Sequence, residues 1–303
     1  MTPSSTEVTK PVLPNTTHTG QVRLRVADLD RALAFYRDIL GYEATPAAAR
    51  SVSLSPAAGV PAHFLLKEAP GVQPKPWKTA GLFHAAIRMP TRRDLATVIA
   101  RLLARDWPVP GMADHGVSEA FYLNDPDENG LEIYSDRPRS EWPSVNGKLA
   151  MGSDPLDMKA LFSTLENGDS DITLLPDESD IGHVHLQVSD LDRAEEFYSG
   201  VLGFDVMQRT YQGALFVSAG GYHHHVGLNV WAGKGVPGVR DDVAGLIDFT
   251  LFLPDVASLD TVEARIAQSG RVSERAPDAN GSPTVSTHDP DGVGVVLAVE
   301  TAA

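Results

Sequence analysis

The chain has 303 residues, no cysteine and a formal net charge of −15. That length leaves room for about two domains of common size, each able to bury its own core. Disulfides and thiolate-held metals are excluded, and an acidic chain without Lys/Arg clusters argues against a nucleic-acid partner.

The first residues, Met-Thr-Pro-Ser-Ser-Thr-Glu-Val-Thr-Lys, lack the basic start and apolar stretch of a signal peptide. No apolar run approaches the roughly 18 residues of a membrane helix. A cytoplasmic location with no membrane partner is the expectation. Residues 1–18 are polar and rich in Pro and Thr, which predicts a poorly ordered tail.

Four repeated units follow. Residues 20–42 read GQVRLRVADLDRALAFYRDILGY and residues 182–204 read GHVHLQVSDLDRAEEFYSGVLGF, matching at more than half their positions without a gap. Alternating Val and Leu open each as a half-buried strand. Asp28 and Asp190 then stand where a helix N-cap is expected, and Leu-Gly closes the helix. A fainter pair, GLFHAAIRMP at 81–90 and GLIDFTLFLP at 245–254, leads into amphipathic helices over 94–104 and 259–269. The Asp-Pro-Asp stretches at 125–127 and 289–291 read as turns between strands. Each unit is therefore strand, helix, then three strands, at about 20–67, 81–135, 182–231 and 245–299.

Between the second and third units the chain is mixed, with a helix expected over 154–166 and an acidic, Ser/Asp-rich run over 167–180. Taken along the chain, the organisation is a tail over 1–18, a domain of two units over 19–136, a linker over 137–180 and a second two-unit domain over 181–303. The fold class is α+β, built from four βαβββ modules.

The D-L-D-R-A-x-x-F-Y…L-G-[YF] and D-P-D-x-x-G signatures resemble those of the vicinal oxygen chelate superfamily. Four units in one chain resemble the type I extradiol ring-cleaving dioxygenases of the bacterial catechol-2,3-dioxygenase type. The resemblance covers nearly everything outside tail and linker. It implies two glyoxalase/extradiol-dioxygenase-like domains whose units curl into cups, with metal ligands on first and last strands. The first-strand positions here are Gln21, His84, His183 and Asp248; the last-strand positions are Glu132 in unit two and Val296 in unit four.

Pairing units three and four offers His183, Asp248 and Val296, which lacks the family's carboxylate. Pairing one and two offers Gln21, His84 and Glu132, with glutamine where glyoxalase I has one. Pairing two with three brings together His84, Glu132 and His183, two imidazoles and a carboxylate that leave positions open on a non-haem Fe(II) or Mn(II) for substrate and O2. The third arrangement is adopted because the other dioxygenase roles then fall in the same two units. His224-His225-Val226-Gly227-Leu228 fits the acid–base histidine motif, and His115 and Tyr122 resemble the histidine and tyrosine that precede the metal glutamate. By that resemblance His224 moves protons during oxygen attack, Tyr122 bonds a substrate hydroxyl, and His115 orients substrate.

Blander readings stand beside these. A strand histidine is more often a core or surface residue than a ligand, and His185 shares a strand face with His183. Within His223-His224-His225 alternation puts His224 opposite its two neighbours, without saying which side is functional. Tyr122 could be a core aromatic; His18 and His63 read as structural or exposed. Phe121, Phe216, Trp231 and the stretch 233–238 are expected to wall the pocket. The function expected is a metal-dependent extradiol dioxygenase acting on a small aromatic diol, with assembly as a homo-oligomer left open. The alternatives are a glyoxalase-like isomerase or lyase, and a non-catalytic small-molecule (drug) binding protein of the same fold.

Overall fold

A computed structural model describes residues 12–169 and 173–300. Unit one comprises β1 (His18–Val26), α1 (Leu29–Tyr36), β2 (Glu43–Ala48), β3 (Ser51–Ser55) and β4 (Phe64–Glu68). Unit two comprises β5 (Gly81–Met89), α2 (Arg92–Ala104), β6 (Gly111–Asp114), β7 (Ser118–Asn124) and β8 (Gly130–Asp136). A small hairpin, β9 (Ser144–Val145) with β10 (Lys148–Leu149), and a short helix α3 (Met158–Phe162) lie between the halves. Unit three runs through β11 (Asp180–Gln187), α4 (Leu191–Glu195), a wider helical turn to Leu202, β12 (Asp205–Gln208), β13 (Ala214–Ser218) and β14 (Val226–Asn229). Unit four holds β15 (Gly245–Leu253), α5 (Val256–Gln268), β16 (Ser273–Pro277), β17 (Pro283–His288) and β18 (Gly294–Val299).

The helix signals act as their chemistry dictates. Asp28 and Asp190 accept the backbone N–H groups of Arg31 and Arg193, closing the first turns of α1 and α4. Gly203 ends the unit-three helix at φ 103°, a left-handed conformation that favours glycine. The linker helix spans five residues, not the thirteen expected, because Asp157 caps it inside that stretch. Residues 1–11 and 170–172 of the expected tail and acidic run lie outside the described residues. Residues 12–17 differ from the expected tail: Leu13 and Thr17 are buried, and Leu13 N–H bonds the Gly203 carbonyl.

Two eight-stranded sheets form, in the orders β12-β13-β14-β11-β5-β8-β7-β6 and β16-β17-β18-β15-β1-β4-β3-β2. Each takes one unit from each half of the chain: units two and three share one sheet, units one and four the other. The halves 19–136 and 181–303 are thus segments of sequence, while each curved sheet is a joint product of both. Helices α1, α2, α4 and α5 pack on the sheet faces opposite the cups, burying a common core that includes Phe35, Leu95, Phe197 and Leu259.

Among the contacts that join the two units of each half are those of the Asp-Pro-Asp turns, which do more than reverse the chain. Buried Asp125 accepts from the hydroxyl of Tyr36 on α1 at 3.0 Å, and Asp127 pairs with Arg31. In the other half Asp289 accepts from Tyr198 at 3.2 Å, and Asp291 takes Ser189 N–H at 2.8 Å. The helix signature of one unit is therefore bolted to the turn signature of the next, through sequence-distant contacts that local turn chemistry does not reveal.

Candidate active site

The site begins with two central strands. β5 and β11 run antiparallel, with His84 opposite His185 and Ala86 opposite His183. Two irregularities interrupt that ladder, at Gly182 and at Phe83. A bulge adds one residue to one strand and re-aims the side chains beside it. Phe83 and His84, neighbours in sequence, consequently both face the same cavity. Gly182 has a second reason to be glycine: a Cβ there would strike the Tyr134 hydroxyl.

β8 lies parallel to β5 with Glu132 beside Ala86, and β7 places Tyr122 opposite Glu132. The Nε2 atoms of His84 and His183 stand 2.9 and 3.2 Å from the same carboxylate oxygen, Oε2 of Glu132. The three donor atoms lie within 4.8 Å of one another. All three residues are almost sealed, at 4%, 1% and 2% exposure for His84, His183 and Glu132. His84 Nε2 faces that oxygen without forming a hydrogen bond. A buried polar atom without a partner is costly. A cation seated among the three donors would remove that cost, so the donor set fits a divalent metal.

Burial opposes charge on Glu132, but the imidazoles of His183 and His84 hold its carboxyl well below the usual range. Burial also pushes His183 down to about 4, leaving neutral imidazole, the form that ligates metal.

A cavity of about 220 Å³ opens above this floor. Its polar side carries Tyr122, His115 and His224; its apolar side carries Val117, Met151, Phe216, Tyr211 and Trp231. His115 Nδ1–H donates to the Gly152 carbonyl at 2.7 Å, so its Nε2 accepts the Tyr122 hydroxyl proton at 2.6 Å. The phenol oxygen is left with lone pairs to receive a donor. Burial and the nearby Glu132 charge raise the Tyr122 pKa well above its ordinary value, keeping the phenol protonated. His224 packs on His183 with ring centroids 4.0 Å apart, and burial pushes its pKa well down.

The expected residues thus gather at one cavity: His84 and Glu132 line its base, His183 sits behind them bonded to Glu132, and Tyr122, His115 and His224 stand on its wall. Gln21 and Asp248 belong to the other sheet. His185 stays near, its ring over Gly227 and its Nε2 without a partner, but it is outside the three-donor cluster. Among the neighbouring histidines, His225 turns away, accepting from Ser218 Oγ and Ala219 N–H. His63 is buried and structural, bridging the Tyr42 hydroxyl and the Ser179 carbonyl.

Two expectations about the wall are corrected. Phe121 packs in the helix-side core, because strand alternation sends it opposite Tyr122. The stretch 233–238 does not line the cavity; it packs elsewhere, with the Pro237 carbonyl taking Ala80 N–H. No sequence motif marks the lining residues Val117, Met151 and Tyr211, nor Asp136 beside the site. Asp136 shares a strand face with Glu132 and Tyr134, so counting by two along β8 finds it.

Comparison with known proteins now fixes the family. Residues 18–133 and 180–297 each match the model of the Glyoxalase/Bleomycin resistance protein/Dioxygenase superfamily. The chain belongs to that superfamily. Within it, the chain is 42% identical over 258 residues to the Catechol-2,3-dioxygenase of Bacillus subtilis (strain 168), covering 84% of this chain and 89% of the relative. It is a homologue of that catechol-2,3-dioxygenase. Fold likeness extends to a Bacillus subtilis subsp. subtilis str. 168 protein provisionally assigned as a dioxygenase (TM-score 0.65, 13% identity, 97% of this chain and 87% of that one). It also extends to glyoxalase I from Zea mays (TM-score 0.56, 17% identity, 94% and 92%). Extradiol members of the superfamily depend on a metal, and the His-Glu-His cluster is a donor set of the kind they need. Among the described residues no helix is long and apolar enough to cross a membrane.

Proposed function

We propose that the chain is an extradiol dioxygenase that opens a catechol-type ring beside the diol, using His84, Glu132 and His183 to hold Fe(II), with Mn(II) as the alternative ion. The observation that carries this reading is the convergence of imidazoles from separate halves on one carboxylate oxygen, at the base of a cavity walled by a tyrosine and histidines. Fe(II) bound there would supply open positions for the diol and O2 and the redox chemistry that joins them.

The remaining roles belong to the chain. Tyr122, its own proton engaged by His115, accepts from a substrate hydroxyl and fixes the ring's angle. His224, neutral and lining the cavity, takes the second hydroxyl proton and returns it later in the reaction. Trp231, Tyr211, Phe216 and Met151 receive the ring and exclude water.

The lining contains neither Lys nor Arg, and Glu132 is its one carboxylate. A catechol bearing a carboxylate would find no counter-charge, so unsubstituted and alkyl-substituted catechols fit best. A glyoxalase-type reaction wants a second carboxylate at the metal, and the cavity offers none. The ligand cluster also weighs against simple drug sequestration.

Anaerobic loading with Fe(II), then addition of catechol and air, tests the proposal. A yellow ring-fission product from catechol, and much less from 3,4-dihydroxybenzoate, is the expected result. No ring opening with any catechol, in a chain that retains Fe(II), overturns it.

A further inference from the structure

His224 does not stand alone. Its Nδ1 lies 2.8 Å from Nδ1 of His223, and Nε2 of His223 lies 2.9 Å from Oδ1 of Asp136 at the end of β8. Asp136 also receives Arg88 at 3.1 Å and the Tyr222 hydroxyl at 3.0 Å. His223 is fully buried between the rings of Tyr222 and Trp142, with centroids 4.0 and 5.4 Å away. Neither Asp136 nor His223 lines the cavity.

The direction of these bonds follows from what each group can do. A carboxylate only accepts, so His223 carries its proton on Nε2. The Nδ1 of a neutral His223 is then a bare acceptor, and the contact with His224 closes only if His224 donates from its own Nδ1. Among the described residues His224 is hydrogen-bonded through Nδ1 alone, and the ring lines the cavity. Burial works against charge on Asp136, but His223 and Arg88 outweigh it and hold the carboxyl below its usual range.

We infer that Asp136 and His223 form a hydrogen-bonded chain that fixes His224 in its Nδ1–H tautomer and presents a bare Nε2 to the substrate hydroxyl. Both are positioning residues, acting through His224. The inference rests on the proposed reading of His224 as the group that takes the substrate proton. The tautomer itself is a property of the protein, readable without substrate.

Full-length chain labelled with ¹⁵N-histidine and saturated with Zn(II) gives the test by long-range ¹H–¹⁵N correlation, with His224 assigned from the peaks lost in H224N. The wild-type ring should carry its proton on Nδ1. In D136A and H223F that proton should move to Nε2, wholly or in exchange. D136E restores the acceptor and should restore Nδ1–H; Y222F, which removes a different partner of Asp136, should leave the tautomer unchanged. With Fe(II), D136A and H223F should lower kcat for catechol by about 10- to 100-fold, with KM held within about threefold and bound metal unchanged. An Nε2–H tautomer in the wild-type chain, or one unmoved by D136A and H223F, overturns the inference. Failure of the wild-type chain to open catechol defeats the proposed function, and the tautomer still decides this point separately.

Discussion

The two sheets carry nearly the same backbone and opposite chemistry. In the sheet of units two and three, His185 stands opposite His84; in the sheet of units one and four, Arg23 stands opposite Asp248. Both ladders break at matching places, after Ile181 and Thr19 on the first strands. Matching registers set Gln21 against His183, Val296 against Glu132, and Ser286 against Tyr122. Arg23 grips the Asp248 carboxylate with its Nε at 2.7 Å and with Nη2. That pair satisfies itself. The other sheet keeps neutral imidazoles round a single carboxylate, leaving His84 Nε2 unpaired. Bulged strands make a cup; only the side chains decide whether the cup has capacity left for a cation.

The sharpest way to break the contrast is to remove one carboxylate from each sheet. E132Q should abolish metal retention and turnover while leaving the thermal transition in place, measured by metal analysis and calorimetry. D248N should do the reverse, keeping metal and activity. It strands a half-exposed guanidinium, so a cost of about 1–2 kcal/mol in denaturant unfolding is expected. Metal loss in D248N with retention in E132Q would move the site to the other sheet. Next in size, H224A should lower kcat by about 100- to 10,000-fold at unchanged metal content. Y122F removes one substrate bond and should lower kcat/KM about tenfold.

A separate effect, on stability and not on turnover, concerns a feature the sheets share. His63 and His225 occupy the same register, each just before the strand that pairs in parallel with the unit's first strand. Burial pushes His63 down to about 4, whereas the unfolded chain takes up that proton near 6.5. Between those values the unfolded state binds more protons, so stability falls as pH drops from about 6.5 to about 4. This residue contributes about 3 kcal/mol across that window. H63Q should make the urea-midpoint profile less steep there, with His225 and His183, also pushed down by burial, supplying the remaining slope; an unchanged slope would mean that His63 is charged in the fold.

Repeats and capping aspartates were plain in the sequence, because each is a local pattern that its own neighbourhood enforces. His84 and Glu132 were readable for a related reason: repeated units mark corresponding positions on first and last strands. The bulges at Phe83 and Gly182 were not readable, since an extra residue in a ladder appears only against its partner strand. Phe121 faces the core and not the cavity, and the sequence does not say so because two adjacent aromatics leave the alternation phase open until Glu132 sets it. The Asp-Pro-Asp turns looked complete as turns, and their hold on Tyr36 and Tyr198 spans about 90 residues of chain, beyond any local signal.

The crossing of halves between sheets has a consequence for how such a chain can be divided. A fragment ending near residue 136 keeps the Tyr36–Asp125 bolt but strips β5 of its neighbour β11. A long, largely apolar strand is then left as an open edge, which invites a second molecule to complete it. Covalent fusion of the halves supplies that missing strand in the same molecule, so assembly of the candidate pocket does not depend on protein concentration.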